Sequence, residues 1–256
     1  MQKSFSFLLL VLLMLSSCGS VQENKEAKEM LQGIWYNADT NERSLYVKGD
    51  TIYYADRNNA PSYFRIVADS LEIYGANVDR YAIYRQGPHL FCFYNLNDEL
   101  VKLRKGENLA DSARFVYKGR KHTIRDTIAR DTTITANGKT YHVAIKIAPN
   151  DEEVLKQTYT NDGIQVDNIY FDNTVSLNVR TDEKKIYGDA IKKLLYAKAI
   201  PSSFLSQAVF VDLDYNKADK EGLHFNAVFA IPDEKLSYIV DTVITPTGEV
   251  VLKQEE

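Results

Sequence analysis

Apolar and polar positions alternate with a period of two over short runs along most of the chain, and turn residues close each run. Such runs predict half-buried strands. From Gly33 to Arg104 they fall at 33–36, 44–47, 51–54, 63–67, 71–74, 81–85, 90–94 and 100–103. Lys48-Gly49-Asp50, Ala68-Asp69, Gly87-Pro88 and Asn97-Asp98 supply four of the turns, and 56–61 is a loop by composition. Regular spacing of this kind predicts an antiparallel meander, curled into a small barrel or strongly bent sheet.

After a mixed stretch of glycine, charge and small residues, the extended pattern resumes. Asn137-Gly138 between 132–136 and 139–147 is a type I′ hairpin signal, because both turn positions need positive φ. In its second arm Tyr141, Val143, Ile145 and Ile147 share one face. Residues 148–165 are polar and turn-rich and read as a loop with a short element at most, and 168–180 reads as a further strand. Ile191, Leu194 and Leu195 have helical spacing, which predicts a helix over 189–199 opened by Asp189 and ended before Pro201. Alternation then returns at 209–213, 223–231 and 238–242, with Pro246-Thr247-Gly248 turning into 249–252. One helix on an antiparallel sheet is an α+β arrangement.

The N-terminal segment breaks this pattern. Lys3, an apolar run over 5–15 and small residues before Cys18 have the order of a secretory signal. The run is shorter than the roughly 20 residues a spanning helix needs. Leu15-Ser16-Ser17-Cys18 resembles the lipobox of bacterial lipoproteins, in which the cysteine thiol receives a diacylglyceryl group and becomes the first mature residue. Gly19 rather than Asp follows it, which by the same analogy points to the outer membrane. Residues 19–28 are charged with little to bury and read as a flexible tether. Residues 26–32 then form one or two helical turns, with Met30 and Leu31 facing the first domain.

A net charge of −4 with mixed signs offers no basic field for nucleic acid. With Cys18 acylated, Cys92 is the one remaining thiol, so no internal disulfide forms. It lies in Leu90-Phe91-Cys92-Phe93-Tyr94, the setting of a small buried hydrophobe rather than of a thiolate. Tyrosines at 36, 46, 53, 54, 63, 74, 81, 84 and 94 allow two readings: a stacking surface for sugar rings, or cross-strand pairs in a sheet. They fall on both strand parities, which favours pairing. Nucleophile-elbow, zincin, Cys-x-x-Cys and phosphate-loop motifs are all missing from the sequence. His89, His122, His142 and His224 have no ligand spacing and read as exposed strand or turn residues. Asp212, Asp214 and Asn216 match the opening of a calcium loop, but Lys217 and Leu223 stand where its glycine and bidentate glutamate belong.

Gly33-x-Trp35 resembles the start of lipocalin-like barrels, with the tryptophan plugging one end and the glycine allowing close backbone approach. Leu31-Gln32-Gly33-Ile34-Trp35, the 48–54 and 63–67 segments and, most specifically, Asp131 to His142 around Asn137-Gly138 resemble a family of uncharacterised lipoproteins from Bacteroides-type bacteria that carries a domain of unknown function. That resemblance implies an envelope lipoprotein and brings no known activity or functional residues. The expected organisation is a signal peptide over 1–17, a lipidated tether over 18–28, a β-meander domain over 29–106, a linker over 107–121 and an α+β domain over 122–256. The expected role is a non-enzymatic, lipid-anchored module without cofactor or metal, contacting an envelope protein through strand edges or loops. The alternatives are a small apolar ligand or glycan held in the first domain as a cup, and an envelope hydrolase with converging carboxylates.

Overall fold

The computed structural model describes residues 22–253; the expected signal peptide and Cys18 lie outside the described residues. The fold is mostly strand and divides into two compact units.

The first unit comprises the described chain up to Arg57, Pro61–Val116 and Tyr159–Gln165. Eight antiparallel strands run up and down: β1 (Gly33–Asn37), β2 (Arg43–Lys48), β3 (Thr51–Tyr54), β4 (Ser62–Val67), β5 (Ser70–Tyr74), β6 (Val78–Gln86), β7 (Leu90–Tyr94) and β8 (Leu100–Lys105). They close into a barrel where β1 pairs with β8, Trp35 opposite Lys105. The meander expected from the alternation is therefore the closed form. Gly33 has φ of 113°, and a Cβ there would meet only the flexible end of Lys105 at 3.7 Å. The glycine thus serves its backbone angle and not the close approach expected of it.

Helix α1 (Lys25–Leu31) precedes the barrel. Asn24 caps it, its side chain accepting from the Ala27 N–H at 3.0 Å, and Ala27 and Leu31, one turn apart, are both buried. Leu31 faces the barrel as the sequence suggests. Residues 23–28, expected in a flexible tether, are instead fixed: the Asn24 N–H donates to the Ile66 carbonyl at 2.7 Å, and the Lys28 ammonium lies between Glu23 and Asp50 at 2.7 and 2.8 Å. Within the expected linker, Leu109–Arg114 forms a 3-10 turn whose Asp111 accepts from the Tyr36 hydroxyl at 2.5 Å.

The second unit comprises Asn58–Ala60, Tyr117–Thr158 and the chain from Val166. One sheet has the order β10 (Ile128–Ala136), β11 (Lys139–Tyr159), β12 (Gln165–Arg180), β13 (Lys185–Ile191), with β9 (Lys121–His122) parallel to β12. The other runs β14 (Val209–Ala218), β15 (Leu223–Ala230), β16 (Ser237–Ile244), β17 (Val250–Lys253). Val143, Ile145, Val175 and Leu177 from the first sheet share one core with Phe210, Phe225, Phe229 and Val240 from the second, which makes the unit a β-sandwich.

Two elements differ from the sequence reading. The 148–165 segment is not a loop: β11 continues to Tyr159, with Val154 and Lys156 pointing inward. Lys156 interrupts the apolar alternation, and it is buried because its ammonium donates to the Pro232 carbonyl at 2.6 Å and pairs with Glu234 at 3.0 Å. The helix expected over 189–199 is also absent. β13 runs to Ile191, which pairs with Val175, and Lys193–Lys198 is a 3-10 turn. Leu194 is 80% exposed while Tyr196 takes the core position, its hydroxyl 3.0 Å from the Thr242 hydroxyl. Pairing of Ile191 with Val175 draws the first turn of the expected helix into the sheet, and burial of Tyr196 rather than Leu194 sets the face of what remains. The short α2 (Ser202–Leu205) follows, burying Phe204 and Leu205.

Candidate functional site

The alternative role, a ligand cup, places its site in the barrel interior. Trp35, Tyr81, Phe64, Phe91 and Phe93 are fully buried in the unit. Trp35, Phe91, Phe93 and Tyr81 form a continuous ring series, with successive centroids 6.1, 5.5 and 5.8 Å apart. An eight-stranded barrel has an interior just wide enough for side chains to fill, and here large aromatics fill it.

Both barrel ends carry further structure. At the end where β1 begins, the Trp35 indole donates to the Leu31 carbonyl at 2.7 Å, Gln86 donates to the Ala27 carbonyl at 2.6 Å and Lys105 to the Met30 carbonyl at 2.9 Å. Trp35 thus sits beneath α1. At the end where β1 finishes, the turn over 159–165 closes the unit. The Gln165 N–H donates to the Tyr81 hydroxyl at 2.8 Å, Asn37 donates to Asp162 at 2.7 Å, and Ser44 donates to the other Asp162 oxygen. Ile164 is fully buried. Gly163, at φ of 71°, lies against Asn95 with no room for a side chain.

The tyrosines follow the pairing reading. Tyr46 faces Tyr53 and Tyr63 faces Tyr74 across neighbouring strands, with ring centroids 5.8 and 5.3 Å apart. Cys92 is buried, and burial pushes its thiol pKa up. Asp212 lies within β14, where Arg130 grips it through two nitrogens at 2.6 and 3.0 Å. The calcium-like opening is thus a strand and not a loop. His89 and His122 are exposed and His142 is half-buried.

His224 departs from the expectation for the histidines: it is 2% exposed. It stands second in β15, just after the turn that joins β14 to β15. That turn is held by the Asp219 N–H donating to the Gly222 carbonyl at 3.0 Å and by the Glu221 N–H donating to the Asp219 carboxylate at 2.8 Å. Gly222, at φ of 149°, packs so closely on the Ile244 carbonyl that no Cβ fits. The sheet register then sets Val243 opposite His224 and Asp241 on the diagonal. His224 Nδ1 is 2.7 Å from Asp241 Oδ2, and Nε2 is 3.0 Å from Asp219 Oδ1. Lys253, opposite Asp241 on β17, reaches Glu221 at 2.8 Å.

The electrostatics follow from these contacts. Burial on its own would lower the His224 pKa, and the hydrogen bonds to Asp241 and Asp219 outweigh it, so the pKa is raised. Asp219 is held below the usual carboxylate range by the Glu221 N–H and by His224, and Glu221 by the Lys253 ammonium. One ligand atom each from Asp219, Glu221 and His224 lies within 4.8 Å of the others, a set able to hold a cation. Three of the four acid and imidazole groups lie in one stretch, Asp219-x-Glu221-x-x-His224, whose spacing matches none of the metal motifs sought in the sequence. Asp241 joins them only through strand register.

These features define a protein with a filled, closed β-barrel unit and a β-sandwich unit that carries a buried histidine clamped by carboxylates. A comparison with protein families matches residues 112–252, more than half of the chain, to the domain of unknown function DUF4738. The chain belongs to that family. No curated protein matches it. No helix among the described residues is long and apolar enough to cross a membrane.

Proposed function

We propose that the chain is a lipid-anchored protein of the bacterial cell envelope, held by Cys18 to the outer membrane, whose role is to bind or scaffold another envelope protein without catalysis. Support for the address comes from the charged start, the short apolar run and the lipobox-like Leu15-Ser16-Ser17-Cys18. Acyl chains contribute about 0.8 kcal/mol per buried methylene, and more than one chain makes an anchor stable.

The observation that carries the role is the packed barrel. A cup for a glycan or a small apolar ligand needs a hollow interior, and the one here is occupied by Trp35, Phe64, Tyr81, Phe91 and Phe93 beneath α1 and the 159–165 turn. That weakens the ligand-cup reading and favours recognition through outer surfaces.

Mass spectrometry of the protein purified from its own membranes with a C-terminal tag tests both parts. The expected result is an acylated N-terminal peptide beginning at Cys18 and a stoichiometric protein partner. An unacylated mature terminus overturns the anchor. A bound glycan or small molecule without a partner protein overturns the scaffold role.

A further inference from the structure

We propose that Asp219, Glu221 and His224 bind one divalent transition-metal ion, zinc being the best chemical match, with Asp241 positioning the imidazole. The ligand set is one imidazole nitrogen and two carboxylate oxygens, which suits zinc and leaves a fourth position for water. Two atoms each about 2.0–2.2 Å from one ion lie at most about 4.4 Å apart. The three ligand atoms already lie within 4.8 Å of one another, so a small swing of the exposed Glu221 side chain brings them to bonding distance.

The arrangement around the ring is that of a metal-bound histidine. A ligating imidazole commonly donates its other N–H to a carboxylate, which fixes the tautomer and the ring plane. Asp241 Oδ2 fills that place at Nδ1, 2.7 Å away. With the ring proton there, Nε2 turns a lone pair toward Asp219 Oδ1 at 3.0 Å, a repulsive contact unless a cation lies between them. A second proton on the ring satisfies that contact alone. A metal ion satisfies it and engages Glu221 as well.

Charge and an orphaned atom point the same way. Asp219, Glu221 and Asp241 bring three negative charges, against the Lys253 ammonium on Glu221 and the more distant Lys217 at 3.9 Å from Asp219. Asp241 Oδ1 is buried and has no hydrogen-bond partner. A buried carboxylate oxygen with no donor is costly. A divalent charge on the far side of the ring offsets that cost more fully than a single proton does.

The test is a Co²⁺ titration of the full chain, purified through a tag that contains no histidine, followed by displacement with Zn²⁺. A visible d–d absorption that saturates at one equivalent and is abolished by zinc is the expected result. Glu221→Gln, at an exposed side chain, is expected to weaken binding by tenfold or more. Asp241→Asn, which removes the positioning carboxylate and its charge while leaving the three ligands in place, is expected to cost about 10–100-fold in affinity. His142→Gln, on the other sheet, is expected to leave the titration unchanged. Absence of saturable binding overturns the proposal, and so does binding that Glu221→Gln and Asp219→Asn both leave untouched. Should His224→Gln, which is expected to abolish binding, fail to fold, as circular dichroism would show, the Glu221→Gln and Asp219→Asn results together still decide.

Discussion

His224 makes the stability of the metal-free protein depend on pH in a definite direction. Its pKa is raised in the folded state, because Asp241 and Asp219 outweigh burial. The unfolded ring titrates at about 6.5. Below that value both states are protonated and the stabilisation is fully present; it is lost as pH rises from there through the raised folded value. Thermal melts of chelator-treated protein are therefore expected to show the transition temperature falling over that window. His224→Gln is expected to flatten the dependence in the same window, and a wild-type profile already flat there would remove His224 as its source. None of this was legible in the spacing of the histidines. Asp241 lies on the next strand and reaches the ring only because Asn226 pairs with it and Val243 with His224. Burial of a polar ring depends on such partners, and hydropathy patterning does not report them.

Among elements, the β10–β11 hairpin was the most legible, because its chemistry is local. Asn137 and Gly138 take φ of 52° and 71°, as a type I′ turn requires. The glycine turn between β14 and β15 needed tertiary information: Gly222 answers both to its φ of 149° and to the Ile244 carbonyl beside it. The two glycines should behave differently in chemical denaturation. Gly138→Ala has open space around it, so only backbone strain of roughly 1–2 kcal/mol is expected. Gly222→Ala is expected to cost more, since β16 must also move, and equal losses at both sites would remove the crowding argument. The misread elements share one physical cause. Lys156 sits at an inward position of β11 because Pro232 and Glu234 take its charge, and Tyr196 rather than Leu194 or Leu195 enters the core. In each case a partner distant in sequence decided which face was buried.

At the scale of the molecule, the barrel meander was readable because each strand pairs with its neighbour along the chain and short turns set the register. Its completion was not, because residues 159–165 return to it from between β11 and β12. The chain ending at Val116 is therefore expected to lack Ile164 as a cover and the Gln165 N–H as partner of the Tyr81 hydroxyl. Expressed alone, residues 22–116 are expected to be cleaved by a nonspecific protease much faster than the same strands in the full chain. Equal protection in both would show that the barrel holds without that turn.

The 159–165 turn also bears on how such a protein can be inherited. The family match over 112–252 includes this turn and leaves the strands it covers outside. An exchange of genetic material at the junction after Val116 would deliver a barrel without its stopper and, to a new host, a sandwich with a plug and nothing to fit it. The two halves are thus expected to travel through evolution together, and a relative that has lost the barrel should carry a shorter or more polar turn between its two long strands.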